Sequence, residues 1–245
     1  GLGTEQNYQK AFEWFERSAK QKNKFAQFSL ANLYYYGSGI EKDLSQAFLW
    51  YQRSSSQGQP YAAYSIAQMY RYGEYVTKDN DTAQRYYKQA LSGFLKIESD
   101  DMANDDLFYK LGQMFNLGLG TDSDVTKAIE YFRRSAEMNN KNGLFEYGKA
   151  LLTGEHIPQD TDSAVKLLEK AVKLKNNNAK RFLALEYISG EHLEQDFEKG
   201  IALLTECADS GDVIASYRLG KIYLQGEIMP QYLDKAEKYL LLAED

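Results

Sequence analysis

A glycine returns at a nearly constant interval along the whole chain. It occupies seven positions, Gly1, Gly37, Gly73, Gly118, Gly154, Gly190 and Gly226. The intervals between them are 36, 36, 45, 36, 36 and 36 residues, and a small residue follows each glycine ten positions later. A fixed period of roughly 20–50 residues is the signature of repeat architectures, in which each unit packs mainly on its neighbours. The chain is therefore predicted to be a repeat array.

The stretch from Ala26 to Ser55 shows what one unit contains. Its small and apolar residues follow a 3.6-residue period in two runs, Ala26, Leu30, Ala31 and Tyr34, then Ala47, Trp50, Tyr51, Ser54 and Ser55. Between the runs, the Gly37-Ser38-Gly39 turn ends the first helix, since glycine enters the left-handed conformation without steric penalty. Asp43 is placed to cap the second helix by accepting from its free backbone N–H groups. Each unit is thus predicted to be a helical hairpin.

These columns resemble the Sel-one-like repeat (SLR) family, a relative of the tetratricopeptide repeat. The family pattern is matched by Leu111, Gly112, Phe115, Gly118, Gly120, Asp124, Lys127, Ala128, Tyr131 and Phe132. The resemblance implies an all-α fold, a right-handed α/α superhelical solenoid of helical hairpins about 36 residues long. It also implies a protein that binds other proteins and has no chemistry of its own.

We expect one repeat domain over residues 1–245, made of a partial repeat and six full ones. The expected boundaries are 1–22, 23–58, 59–93, 94–139, 140–175, 176–211 and 212–245. The chain opens on a lone second helix and closes on the apolar stripe of another, whereas the terminal repeats of a complete solenoid carry a polar outer face. We therefore expect it to be a segment of a longer protein.

The single interval of 45 residues places nine extra residues between Gly93 and Leu107. The apolar period continues through Ile97, so the helix that enters this insertion should be about two turns longer than the others. Acidic residues follow, and we expect them to form a solvated turn. A surface for a basic partner and a calcium loop are the alternatives, and the role of the acidic insertion 94–106 stays open.

Composition narrows the classes of partner and compartment. The net charge is −6 without a basic stripe, which argues against nucleic acid as a partner. No apolar run approaches the roughly 18 residues that a membrane span needs, so a soluble segment without membrane contact is expected. Cys207 falls in a small-residue column and should be a packed thiol. The compartment stays open between the cytoplasm and, if an upstream signal is missing, the periplasm or the exterior.

Catalytic motifs are missing from the sequence. It contains no G-x-S-x-G, no phosphate-binding G-x-x-x-x-G-K and no H-E-x-x-H. His156 and His192 occupy equivalent turn positions in adjacent repeats, where residues that tolerate left-handed geometry are favoured. A zinc site is the alternative for this pair. We expect no enzymatic activity, no cofactor and no metal.

Tyrosine is concentrated in the first repeats. If the first helix of each hairpin lines an inner groove, as it does in the family, nine residues are candidates for partner binding: Phe25, Asn32, Tyr35, Tyr36, Tyr61, Tyr64, Gln68, Arg71 and Tyr72. Tyrosine and arginine often dominate protein interfaces. Tyr64 is alternatively a packing residue, because Phe28 holds the equivalent position. The later repeats place small, amide or basic residues there and are expected to be solvated.

The sequence therefore predicts a non-enzymatic scaffold or adaptor that binds a peptide or helix of another protein in its concave groove. The alternative is a regulatory appendage of a larger catalytic or membrane-anchored protein. Family analogy adds a bacterial secreted or envelope protein involved in host contact. The partner's identity and the oligomeric state are not determined by the sequence.

Overall fold

All regular structure is helical in the residues that the computed structural model describes, which are 7–226 and 230–244. This confirms the all-α solenoid of helical hairpins predicted from the repeat. Thirteen helices lie in this part of the chain: α1 (Tyr8–Lys20), α2 (Lys24–Tyr36), α3 (Leu44–Ser56), α4 (Pro60–Tyr72), α5 (Asn80–Ser99), α6 (Asp105–Leu117), α7 (Val125–Glu137), α8 (Lys141–Thr153), α9 (Thr161–Lys173), α10 (Asn177–Ser189), α11 (Phe197–Asp209), α12 (Val213–Gln225) and α13 (Leu233–Leu241).

The chain divides into two compact units. The first comprises Gly1–Ala103 and Gln113–Asp124, and the second comprises Asn104–Gly112 and Val125–Asp245. In the first unit α2 packs on α3 and α4 packs on α5. In the second unit the pairs are α8 with α9, α10 with α11, and α12 with α13. Neighbours in sequence are thus neighbours in space, as hairpins require.

Side-chain caps fix where the second helices begin. Each capping oxygen accepts from a backbone N–H two or three residues further on, in Asn7, Asp43, Asp79, Asp160 and Asp196. Tyr232, which breaks this column, makes no side-chain cap bond to α13. A second set of caps, which the sequence analysis did not use, begins the first helices at Asn23, Gln59, Asn140, Asn176 and Asp212. Each of these helix starts is therefore determined by the capping residue next to it in the sequence.

The repeating glycine ends the first helix of each hairpin in left-handed geometry. Its φ lies between 68° and 73° at Gly37, Gly73, Gly154, Gly190 and Gly226. Two residues later in the turn, His156 also has a positive φ, 66°, as expected. The same expectation is wrong for His192, which has no positive φ. Its Nδ1 instead lies 3.0 Å from Oε2 of the buried Glu186, so a side-chain contact holds this residue.

Small residues allow the paired helices to approach closely. A Cβ added to Gly112 would lie 2.5 Å from the Phe132 ring, and one added to Gly220 would lie 2.6 Å from Leu240. Both distances are shorter than an ordinary van der Waals contact, so a larger residue at either position would have to displace its neighbour. The Cys207 thiol is fully buried and burial raises its pKa, which confirms the packed thiol.

Helix α5 has 20 residues where α2, α3 and α4 have 13 each, so the predicted lengthening by about two turns is confirmed. Its extra turns bring the fully buried Phe94 into the first unit. Gly93 lies beside Pro60 at the start of α4. Although α5 is the longest helix in the described residues, neither it nor any other helix there is apolar over enough of its length to cross a membrane.

Candidate functional site

The nine candidate residues all lie on α2 and α4 of the first unit, but they differ in exposure. Phe25, Tyr36 and Tyr72 are exposed, with 62%, 72% and 61% of their surface accessible. The other six are partly buried, namely Asn32, Tyr35, Tyr61, Tyr64, Gln68 and Arg71. The candidates therefore separate into packing residues and residues that a partner can reach.

Tyr61 and Tyr64 are part of the packing between α4 and its neighbours. The Tyr61 ring centre lies 4.8 Å from that of Phe94 and 5.9 Å from that of Phe28. Tyr64 lies 5.4 Å from Tyr87 and 6.2 Å from Phe94. The edge-to-face and tilted arrangements are those that aromatic pairs prefer. The packing alternative for Tyr64 therefore accounts for its contacts, and it extends to Tyr61.

Tyr35 links two repeats through its hydroxyl. It donates a hydrogen bond of 2.5 Å to Oε2 of Glu74, a residue in the turn of the next repeat. Burial, together with this carboxylate, raises the pKa of Tyr35 to about 12, so the hydroxyl stays protonated and keeps donating at neutral pH. The Lys42 ammonium lies 5.7 Å from the centre of the same ring. The Tyr35 ring is thus held in place at its hydroxyl by Glu74.

Tyr36 rests edge-on against Tyr35, with ring centres 4.9 Å apart and planes at 83°. Asn32, one turn earlier on α2, is also fixed, because its Oδ1 accepts a 2.6 Å hydrogen bond from the Tyr51 hydroxyl. Burial raises the pKa of Tyr51, which keeps that hydroxyl a donor. The exposed ring of Tyr36 is therefore supported by an ordered layer beneath it.

Arg71 and Tyr72 form the corresponding pair on α4. The Arg71 guanidinium lies 5.6 Å from the centre of the Tyr72 ring, within the range of a cation–π contact. Beneath them, the buried hydroxyl of Tyr87 has no hydrogen-bond partner among the described residues. Burial raises the pKa of Tyr87 to about 12, while the approach of the Arg71 guanidinium to its hydroxyl and the charge of that group act in the opposite direction. Arg71 thus lies between a buried phenol and an exposed one.

We call the accessible region that remains the tyrosine surface. It consists of Asn32, Tyr35, Tyr36, Gln68, Arg71 and Tyr72. Tyr36 and Tyr72 hold the last position of α2 and α4, and Leu117, which holds the same position on α6, is 54% exposed. The surface therefore presents two large exposed side chains, Tyr36 and Tyr72, at equivalent positions of adjacent repeats.

Two supporting residues were missed by the sequence analysis. Glu74 anchors Tyr35, and Lys42 lies over the same ring. Both lie in turns, outside the helical positions from which the candidates were chosen. Glu74 occupies the middle of its turn. The equivalent residues in other repeats are Ser38 and Leu119, so the repeat pattern gave no indication that this position has a role.

The equivalent positions in the second unit are used differently. Asn142 accepts a 3.0 Å hydrogen bond from Nδ2 of Asn176, and Arg181 forms an ion pair with Asp212. Both interactions join successive hairpins. Lys149 is exposed. Among the described residues, no group of three or more histidine, cysteine, aspartate and glutamate side chains is placed to hold a metal ion.

The profile of the Sel1 repeat family matches seven segments of this sequence: 1–23, 24–59, 60–93, 109–140, 142–176, 178–212 and 213–245. No curated protein gives a significant match.

Several solved structures share the fold. A Sel1 repeat protein from Oxalobacter formigenes is 24% identical with a TM-score of 0.76, covering 97% of this chain and 92% of its own. The protective antigen c5321 of uropathogenic Escherichia coli, which displays an SLR fold, is 26% identical with a TM-score of 0.65. That match covers 95% of this chain and 48% of the antigen. An immunity protein of Pseudomonas aeruginosa, Pa5087, is 17% identical with a TM-score of 0.56 and covers 87% of this chain and 81% of its own.

Proposed function

The chain belongs to the Sel1 repeat family, and from that premise we propose that it is a scaffold that captures a partner protein on its tyrosine surface. Repeats of this family are generally non-catalytic protein-interaction scaffolds. The proposal assigns the contact to particular residues of the first unit, with Tyr36 and Tyr72 as the central ones. Phe25, at the other end of α2, lies outside the tyrosine surface and is not part of the proposed contact.

The observation that carries the proposal is the exposure of Tyr36 and Tyr72. Both lie within the repeat array, at equivalent positions, and yet 72% and 61% of their surface is accessible. A buried tyrosine contributes large apolar area, while its hydroxyl finds a polar partner at an interface. Covering two such rings would supply much of the energy of a small interface, since a few aromatic and arginine side chains commonly dominate binding.

The ordering of the surface favours binding further. Tyr36 rests on Tyr35, which Glu74 holds, and Arg71 lies beside Tyr72. A partner would therefore meet side chains whose positions are already restricted. Binding loses less conformational entropy when the side-chain rotamers of the surface are already fixed in the folded protein.

A capture experiment with the 245-residue chain tests the proposal. Tyr36, Arg71 and Tyr72 are changed together to alanine, and the parent and the variant are used as bait with lysate of the source organism. We expect the partner retained by the parent to be absent with the variant, because the two rings and the cation that it covers are gone. Helical circular dichroism should be unchanged, since the two tyrosines are exposed.

A matched control comes from the second unit. Tyr217, Arg218 and Lys221 are exposed on α12 and offer similar chemistry. Changing these three residues to alanine should leave capture intact. Retention of the partner by the Tyr36, Arg71 and Tyr72 variant would refute the proposal, as would equal loss in both variants.

A further inference from the structure

An open cleft of about 810 Å³ lies in the first unit, between the N-terminal half of α5 and the turn that follows α6. One wall is formed by Gln84, Arg85 and Lys88 of α5. The opposite wall is formed by residues 117–118 and 120–123. The cleft shares no residue with the tyrosine surface, and its volume falls within the roughly 300–1,000 Å³ typical of small-ligand sites. It is therefore a candidate binding site separate from that surface.

The nine-residue insertion accounts for the cleft. In an earlier repeat, a Cβ added to Gly39 would lie 2.5 Å from Tyr8, the first residue of α1. Gly120 holds the equivalent turn position with nearly the same φ, but it meets α5 at Lys88, eight positions after Asn80, where α5 begins. Eight residues span about 12 Å of helix. The start of α5 therefore extends beyond the turn and forms one wall of the cleft.

Hydrogen bonds hold the two walls of the cleft in place. The side chain of Gln84 donates to the Gly118 carbonyl and accepts from the Gly120 N–H, which ties the turn to α5. Within the turn, Oγ of Ser123 donates a 2.9 Å hydrogen bond to the carbonyl of Asn116 near the end of α6. The cleft is thus formed before a ligand enters, so binding loses little conformational entropy of the backbone.

The charge of the cleft favours an anion. Arg85 and Lys88 are three residues apart on α5, so their side chains lie on the same face of the helix. Both are exposed, and in the described part of the chain neither forms an ion pair. Arg85 donates one hydrogen bond, 2.6 Å long, to Oγ1 of Thr82 and keeps its other N–H donors. Asp122 is the only carboxylate among the described residues that line the cleft, which leaves a surplus of one positive charge.

We propose that this cleft binds a phosphoryl group, a role beyond the scaffold function. A phosphoryl group carries close to two negative charges at neutral pH and has three acceptor oxygens. The planar fork of Arg85 matches two of these oxygens, and the Lys88 ammonium acts as a point charge on the third. A carboxylate has only two oxygens, and a bidentate contact with Arg85 would use both, leaving Lys88 unpaired. The two cations therefore fit a phosphoryl group better than a carboxylate.

The test is a titration of the 245-residue chain with inorganic phosphate at about pH 7.5, where phosphate is mainly dianionic. Backbone amide shifts in nitrogen-15 NMR spectra report on binding. Sodium chloride at matched ionic strength is the reference, because it screens charges without offering a phosphoryl group. We expect saturable shifts at residues 118 and 120–123, which form one wall of the cleft, and weaker binding of acetate than of phosphate.

Four single variants at exposed positions locate the site. Arg85→Gln and Lys88→Gln should each weaken phosphate binding about tenfold, because each removes one charge-assisted contact. Asp122→Asn should strengthen it, because the change removes the carboxylate that repels the anion. Lys96→Gln changes a lysine on the same helix but outside the cleft, so it is the matched control and should have no effect. Circular dichroism of each variant confirms that folded proteins are compared.

Three results would overturn the assignment: no saturable shifts with phosphate, acetate binding as tightly as phosphate, or a loss of affinity in Lys96→Gln equal to that in Arg85→Gln. A parallel titration with N-acetyl-phosphoserine amide distinguishes two sources of the group. Tighter binding than that of phosphate would assign a phosphorylated side chain of a partner, and equal or weaker binding would assign free phosphate. Either result supports a phosphoryl site. Capture of a partner by the tyrosine surface is a separate measurement, so neither proposal depends on the other.

Discussion

Gly120 lies where a turn of the first unit touches helix α5. Its φ is +75°, and an added Cβ would lie 2.3 Å from the backbone nitrogen of Lys88. The side chain of Gln84 also bridges this turn, accepting from the Gly120 N–H at 2.6 Å and donating to the Gly118 carbonyl at 3.0 Å. Gly58 has nearly the same φ, +76°, but nothing lies within 4 Å of an added Cβ. Comparing the two glycines therefore distinguishes the cost of a positive φ, which both share, from the cost of a close approach to a neighbouring helix, which only Gly120 has.

Substitution by alanine at these two glycines should have unequal effects on stability. Gly58→Ala is expected to lower the free energy of unfolding by about 1–2 kcal/mol, the cost of a Cβ in left-handed geometry. Gly120→Ala should cost at least about 2 kcal/mol more, because the turn must also move away from α5. Urea unfolding followed by circular dichroism measures both. Equal decreases would show that the close approach to α5 contributes nothing.

At this scale the sequence was most informative where the cause is local. The Asp43 cap and the Gly37 turn depend on residues within a few positions, and both were predictable from spacing. The roles of Tyr36 and Tyr61 were not separable from the sequence, since both belong to the same predicted groove. Which of the two is covered depends on Phe94, 33 residues after Tyr61, through a packing contact that the repeat period does not encode.

At the scale of the element, helix α5 accounts for much of the difference in exposure between Tyr36 and Tyr61. The continued apolar period predicted its length, but did not predict what the extra turns cover. They place Phe94 against Tyr61 and Tyr64, so these two rings are shared with the packing of α4. The insertion therefore limits the accessible tyrosine surface to the residues near the C-terminal ends of α2 and α4.

Removing the Phe94 ring should expose how much of this arrangement depends on α5. The side chain is fully buried, so Phe94→Ala is expected to lower the free energy of unfolding by about 3–5 kcal/mol. The near-ultraviolet circular dichroism of the tyrosines should also weaken, because Tyr61 and Tyr64 no longer have this aromatic neighbour. Leu95→Ala, at a partly buried position on the same helix, is the control and should cost less. A decrease no larger than that of Leu95→Ala would contradict the packing role.

At the scale of the whole molecule, the repeat period predicted the order of the helices but not their grouping into two compact units. The chain changes unit three times, after Ala103, after Gly112 within α6 and after Asp124, and the columns of small and apolar residues continue unchanged through α6. In a repeat array, stability is approximately a sum of unit and neighbour terms, and how strongly the parts unfold together depends on those neighbour terms. The size of these neighbour terms cannot be predicted from the residues that recur in each repeat.

The two tryptophans offer a direct measurement of that coupling. Trp14 and Trp50 are the only tryptophans in the sequence and both belong to the first unit, where Trp50 is buried. Ile66 in the first unit and Leu168 in the second are fully buried, so each change to alanine should cost about 2–5 kcal/mol. We expect Ile66→Ala to lower the urea midpoint seen by tryptophan fluorescence. Leu168→Ala should lower mainly the midpoint seen by circular dichroism, which reports helix in both units. Equal shifts of the fluorescence midpoint in the two variants would mean that the units unfold as one cooperative structure, in which a cavity made in the second unit also destabilises the tyrosine surface.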